Sequence, residues 1–199
     1  MPNTLDLELG AVAYKVVADI TAVKKGESVL ITVDSAGSWT VAEELAKAAE
    51  ALGAKVMVAY HSTPVGVGKV AEPYLPDSLK AAIPATDVWL EVYLQWLGYS
   101  SPYAKALVPP NRTRYLCLCG LDVERIVRFF GRVDLEAQDA FQKKVVDLTK
   151  RAKTMHITTS AGTDVSFEND PARPVISEMW CHTPGAHFPM GQIAWAPVE

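Results

Sequence analysis

The chain has 199 residues and a formal net charge of −4, with 49% hydrophobic and 21% charged residues. That balance describes a folded globular protein rather than a disordered one, and the acidic excess argues against nucleic acid as a partner. No apolar run approaches the ~20 residues of a membrane span. Met1–Glu8 has neither the basic start nor the apolar core of a signal peptide, so a cytoplasmic protein is expected.

Leu5, Leu9, Val12, Val16, Val17, Ile20 and Val23 recur at helical spacing and predict a helix over residues 5–24, closed by Lys24, Lys25 and Gly26. Ser28–Val33 is a β-branched run of the kind covered on both faces. After the turn Asp34–Ser38, a second helix is predicted over Val41–Leu52, capped by Ser38 or Thr40 and ended by Gly53. Lys55–Tyr60 reads as the next strand, which gives residues 28–60 the length of a parallel crossover unit. Residues 61–76 hold three prolines and two glycines and predict an irregular loop.

A short helix over 79–83, a third strand over 87–93, and a surface loop around a short helix over 98–111 follow. Arg114–Cys119 reads as a fourth strand, Asp122 as the cap of a helix over 123–130, and residues 134–153 as a longer helix. This alternation predicts an α/β domain over residues 1–153, an open, mainly parallel sheet with helices on both faces. From residue 154 the period becomes two. Residues 154–159 and 163–167 form a hairpin pattern around Ser160–Gly162, and Ile193 and Trp195 mark a further strand. Residues 154–199 are therefore expected to be the first strands of a β-rich second domain.

Residues that carry chemistry are sparse. Val65-Gly66-Val67-Gly68-Lys69 lacks the leading Gly and trailing Ser or Thr of a phosphate loop and reads as a flexible loop. The Asp34–Ser38 turn stands where doubly wound folds bind anions, but without Gly-x-Gly-x-x-Gly an ordinary strand-to-helix turn is expected. Cys181, His182 and His187 put three metal-capable side chains in a short loop, yet their spacing matches no structural zinc motif. No metal ligand is assigned. His61 and His156 read as structural, and Cys117 and Cys119 as small apolar residues on one face of a buried strand. Three cysteines are too few for a disulfide framework. No Gly-x-Ser-x-Gly elbow occurs.

Three segments, Ala161–Phe167, Pro184–His187 and Met190–Glu199, resemble in order and spacing the superfamily that unites the thermophilic aminopeptidases (aminopeptidase T) with 2,5-dihydroxypyridine 5,6-dioxygenase. Gly26–Ile31 and Arg114–Cys117 suit its N-terminal α/β domain. The resemblance implies an α/β domain and a metal-bearing domain in a homodimer, with this chain holding the N-terminal part only. It also implies a small-molecule substrate and a divalent metal in the full-length protein, with no metal bound to this chain alone and no activity from it alone.

The aminopeptidases carry a metal-binding Glu in a Gly-Glu-hydrophobic motif, where this chain has Gly191-Gln192-Ile193. Gln192 is neutral and cannot balance two adjacent divalent cations. The resemblance therefore favours the dioxygenase branch, whose single ferrous iron is held by two His and one carboxylate. His187 and Gln192 are expected to shape one wall of the substrate pocket. The alternatives are a zinc- or cobalt-dependent aminopeptidase and a non-catalytic binding or assembly module.

Overall fold

Order in this chain starts from β-branched runs that have helices on either side. The computed structural model describes residues 4–110, 112–188, 191–196 and 198. The chain divides into two units, Met1–Val133 with Trp180–Pro189, and Asp134–Met179 with Met190–Glu199.

The first unit contains α1 (Thr4–Lys15), β1 (Ser28–Asp34), α2 (Trp39–Ala51), β2 (Lys55–His61), α3 (Asp77–Ala82), β3 (Val88–Val92), α4 (Ser101–Leu107), β4 (Arg114–Cys117) and α5 (Val123–Ile126). After α1 the helix widens into a π-turn over Val16–Ile20 and stops. There the buried Thr21 hydroxyl donates to the carbonyls of Val16 and Val17 at 3.1 and 2.9 Å, occupying acceptors that a further turn would use. The predicted helix over 5–24 is shorter for that reason.

The four strands join a fifth, β8 (Gly185–His187), in the order β2-β1-β3-β4-β8, and every pairing is parallel. The α/β class and the mainly parallel sheet flanked by helices therefore agree with the sequence reading. The fifth strand differs from it, because Gly185–His187 lies within the stretch expected to be β-rich. It pairs instead with Arg114–Leu116 on the open edge of β4. Such a pairing spans some seventy residues and leaves no local pattern.

Alternation along the strands sorts the core. Leu30, Trp89, Tyr93, Tyr115 and Cys117 pack with Leu75, Leu79, Ile83, Leu97 and Ala106 from the segments around α3 and α4. Val29, Ile31, Val33, Leu90 and Leu116, also buried, occupy the alternate positions. At the amino ends of the strands, Arg114 donates to both Glu27 oxygens at 3.0 and 2.7 Å. Burial works to raise the Glu27 carboxyl, but Arg114 and the Lys24 amide outweigh it and hold it below its ordinary value.

The second unit holds the 17-residue α6 (Leu135–Arg151), the hairpin β5 (Thr154–Thr158) with β6 (Asp164–Glu168), and the two-residue ladder β7 (Ile176–Ser177) with β9 (Ile193–Ala194). Asp134 caps α6 by accepting from the Glu136 and Ala137 amides. Asn169 closes the other end by donating to the Thr149 and Ala152 carbonyls. A distinct β-rich domain is not seen among the described residues. No helix among them is long and apolar enough to cross a membrane.

Candidate functional site

In an open parallel sheet the chain must change direction at one point in the strand order, and the loops at the carboxyl ends there part to leave a crevice. Here β1 connects outward to β2, whereas β3 and β4 lie on its other side. A cavity of 280 Å³ opens at this switch point, lined by Ala36–Ser38 after β1, Val92–Leu94 after β3, and Gly120–Asp122 with Arg125 after β4.

The local sequence explains the shape. A Cβ on Gly37 would lie 2.3 Å from the Val92 carbonyl oxygen, so only glycine lets this turn approach β3 so closely. Ser38 caps α2 through the Val41 amide. Gly120, at φ +74°, donates its N–H to the Tyr93 carbonyl at 2.7 Å. Asp122 caps α5 through the Arg125 amide, and the Arg125 guanidinium donates to Asp122 Oδ2 and the Gly120 carbonyl. The crevice thus has a cation fixed on one wall and the amino end of a 13-residue helix on another.

Beside the crevice the sheet carries polar groups in its aromatic core. Glu91 is fully buried, and its carboxylate accepts from the Leu97 amide at 2.6 Å and from the Tyr115 hydroxyl. Tyr115 in turn accepts from Trp96 Nε1 at 2.7 Å. Burial, and then the nearby Cys117, push the Glu91 carboxyl up to about 8 despite these donors, so it is mostly protonated at neutral pH. Burial likewise raises the Tyr93 and Tyr115 phenols far above their ordinary range. The Cys119 thiol hydrogen-bonds Cys117, which lowers the Cys117 thiol and raises that of Cys119. Ligand atoms of Glu91, Cys117 and Cys119 all lie within 4.8 Å of one another.

At the ends of β1 and β2, Asp34 and His61 are register partners and buried. Asp34 Oδ2 and His61 Nε2 find no hydrogen-bond partner among the described residues. Burial depresses the His61 imidazolium, and its Nδ1 lies 2.7 Å from the Ser62 carbonyl.

The residues singled out from sequence are dispersed. His187 is buried in β8 with Nε2 2.7 Å from the Thr183 carbonyl, whereas Gln192 is exposed just before β9, in the other unit. His182 contacts the Asp19 carbonyl, and the Cys181 amide donates to Ile20. His156 is exposed and pairs with Asp164 at 2.7 Å. Among the described residues only Glu91, Cys117 and Cys119 form a metal-capable group. The expectation that no metal would bind this chain alone is therefore corrected, because a candidate site lies inside its own sheet. That set does not match a ferrous centre of two His and one carboxylate. Two of its donors are thiols, and both carboxylate oxygens already accept hydrogen bonds.

A profile of the NicX family, 2,5-dihydroxypyridine 5,6-dioxygenase, matches residues 11–199. Among curated proteins none matches the sequence. The structure of 2,5-dihydroxypyridine dioxygenase from Pseudomonas putida KT2440 is similar at a TM-score of 0.72 and 17% identity, over 98% of this chain and 57% of that one. Wild-type AmpT from Thermus thermophilus is similar at 0.58 and 15% identity, over 96% of this chain and 62% of that one. Both likenesses are of fold, and the chain spans less than two thirds of either relative. The resemblance read from sequence, limited to an N-terminal part shared by two enzyme branches, is corrected by the profile, which covers almost the whole chain. The profile match from residue 11 to residue 199 places the chain in the 2,5-dihydroxypyridine 5,6-dioxygenase family.

Proposed function

We propose that this chain holds the substrate of a metal-dependent dioxygenase that opens a small hydroxylated ring, 2,5-dihydroxypyridine or a close analogue. The family match over residues 11–199 carries this reading. The crevice supports it, since 280 Å³ lies just below the usual ligand-pocket range of about 300–1,000 Å³ and suits a single small ring. An ionised ring hydroxyl is a compact anion. Arg125 and the amino end of α2 offer it positive charge, while Val92 and Leu94 offer the ring an apolar wall.

The iron of such a reaction would supply the activation of dioxygen, but the described residues form no ligand set that fits it. The part proposed for this chain is to bind and orient the ring in the crevice. His187 and Gln192 are proposed, each separately, as further substrate contacts. A cytoplasmic homodimer belongs to the same proposal.

Oxygen uptake by the protein supplied with ferrous iron and 2,5-dihydroxypyridine tests the reading. One oxygen consumed per ring lost is the expected result. Arg125→Ala should raise KM about tenfold or more with kcat little changed, because a charge-assisted contact made in ground and transition state alike is lost. Release of amino acids from short peptides with zinc or cobalt, without oxygen uptake, would replace this reading with an aminopeptidase. Neither activity would leave a binding module.

A further inference from the structure

We propose that Glu91 of β3, Cys117 of β4 and Cys119 in the turn that follows β4 form a binding site for a thiophilic d10 cation of the zinc type. Glu91 and Cys117 are direct register partners in neighbouring strands, and Cys119 lies two residues beyond Cys117. All three ligand atoms fall within 4.8 Å of one another. A tetrahedral ion with metal–sulfur bonds of about 2.3 Å and a metal–oxygen bond of about 2.0 Å needs its ligand atoms roughly 3.5–3.8 Å apart. The ligand atoms would have to approach by about 1 Å to reach that spacing.

The donor set decides the ion. Two thiolates and one carboxylate carry three negative charges in a low-dielectric core, which a soft or borderline dication offsets directly. A hard cation such as magnesium would demand oxygen ligands that are not there. Three protein donors leave a fourth position for water or a small ligand.

The surroundings already hold the carboxylate as a second layer does around a metal. The Leu97 amide and the Tyr115 hydroxyl each donate to one oxygen and fix the plane of the group. Each oxygen retains a second lone pair for an ion. An entry path exists too, since Cys119 is only partly buried and the next residue, Gly120, lines the crevice. The site is independent of the proposed ring-opening activity and of the iron that activity would need.

The test is titration of the reduced, metal-free protein with cobalt(II), followed by displacement with zinc. One equivalent should bring up thiolate-to-cobalt charge-transfer absorption, which zinc then removes. Cys117→Ser and Cys119→Ser should each abolish it, whereas Cys181→Ser should leave it intact. Tyr115→Phe keeps the ring and loses the hydroxyl on Glu91, so affinity should fall about 10–100-fold. Wild-type protein that stays folded and develops no such absorption overturns the proposal, as does equal loss in Cys181→Ser. Alkylation of the wild-type thiols gives a reading that no variant can confound. Zinc should shield Cys119, the one partly exposed thiol of the three, and identical Cys119 labelling with and without zinc would sink the site.

Discussion

Glu91 shows how one residue sets a property of the molecule. In the metal-free protein its carboxyl titrates near 8, against about 4.5 when exposed. The folded state therefore binds a proton that the unfolded state releases over that interval. The associated stability is fully present below pH ~4.5 and is lost as pH rises through about 8, by a few kcal/mol in all. Glu91→Gln cannot ionise. Between pH 5 and pH 8.5 its urea midpoint should lack the fall that Glu91 ionisation imposes on the wild type, and parallel curves would refute this account. A carboxylate inside the apolar strand Val88–Val92 was visible in the sequence. Its meaning was not, because Cys117 and Cys119 reach it only through the pairing of β3 with β4.

At the scale of elements, the crevice exists because the turn before α2 sits against β3. Gly37→Ala would push a methyl into the Val92 carbonyl and towards Val33 Cγ2 and Asp34 Oδ1, so the turn must move. We expect a loss of about 1–3 kcal/mol in urea unfolding and a narrower crevice that raises KM for a ring substrate. An unchanged midpoint and KM would mean that the close approach is not needed. Most of these elements could be read from the chain, with the β1-α2-β2 crossover, the Ser38 and Asp122 caps and the β5–β6 hairpin where residue types and periods place them. The strand β8 could not, since three residues reading Gly185-Ala186-His187 have no strand signature until β4 offers an edge.

For the whole molecule, the apolar side chains left in solvent are the feature of most consequence. On α6, Phe141 and Leu148 are 65% and 60% exposed, and Ile157 and Val165 of the hairpin are exposed as well. A two-stranded ribbon is marginal alone and gains from covering a face. Self-association should therefore rise with concentration in light scattering, and Leu148→Glu should weaken it. A mass that stays monomeric over a hundredfold range of wild-type concentration would contradict the proposed homodimer.

The sequence by itself determined the class of fold and the order of helices and strands as far as α6. Each of these rests on periodicity, capping or motif spacing, which are local. Tertiary structure alone decided that β8 completes the parallel sheet, that His187 and Gln192 fall in different units, and that a carboxylate and two thiols meet in the core. Those outcomes depend on which strand edges pair and which faces are buried together. Such long-range pairings are chosen by the free energy of the assembled sheet, and no short window of residues encodes them.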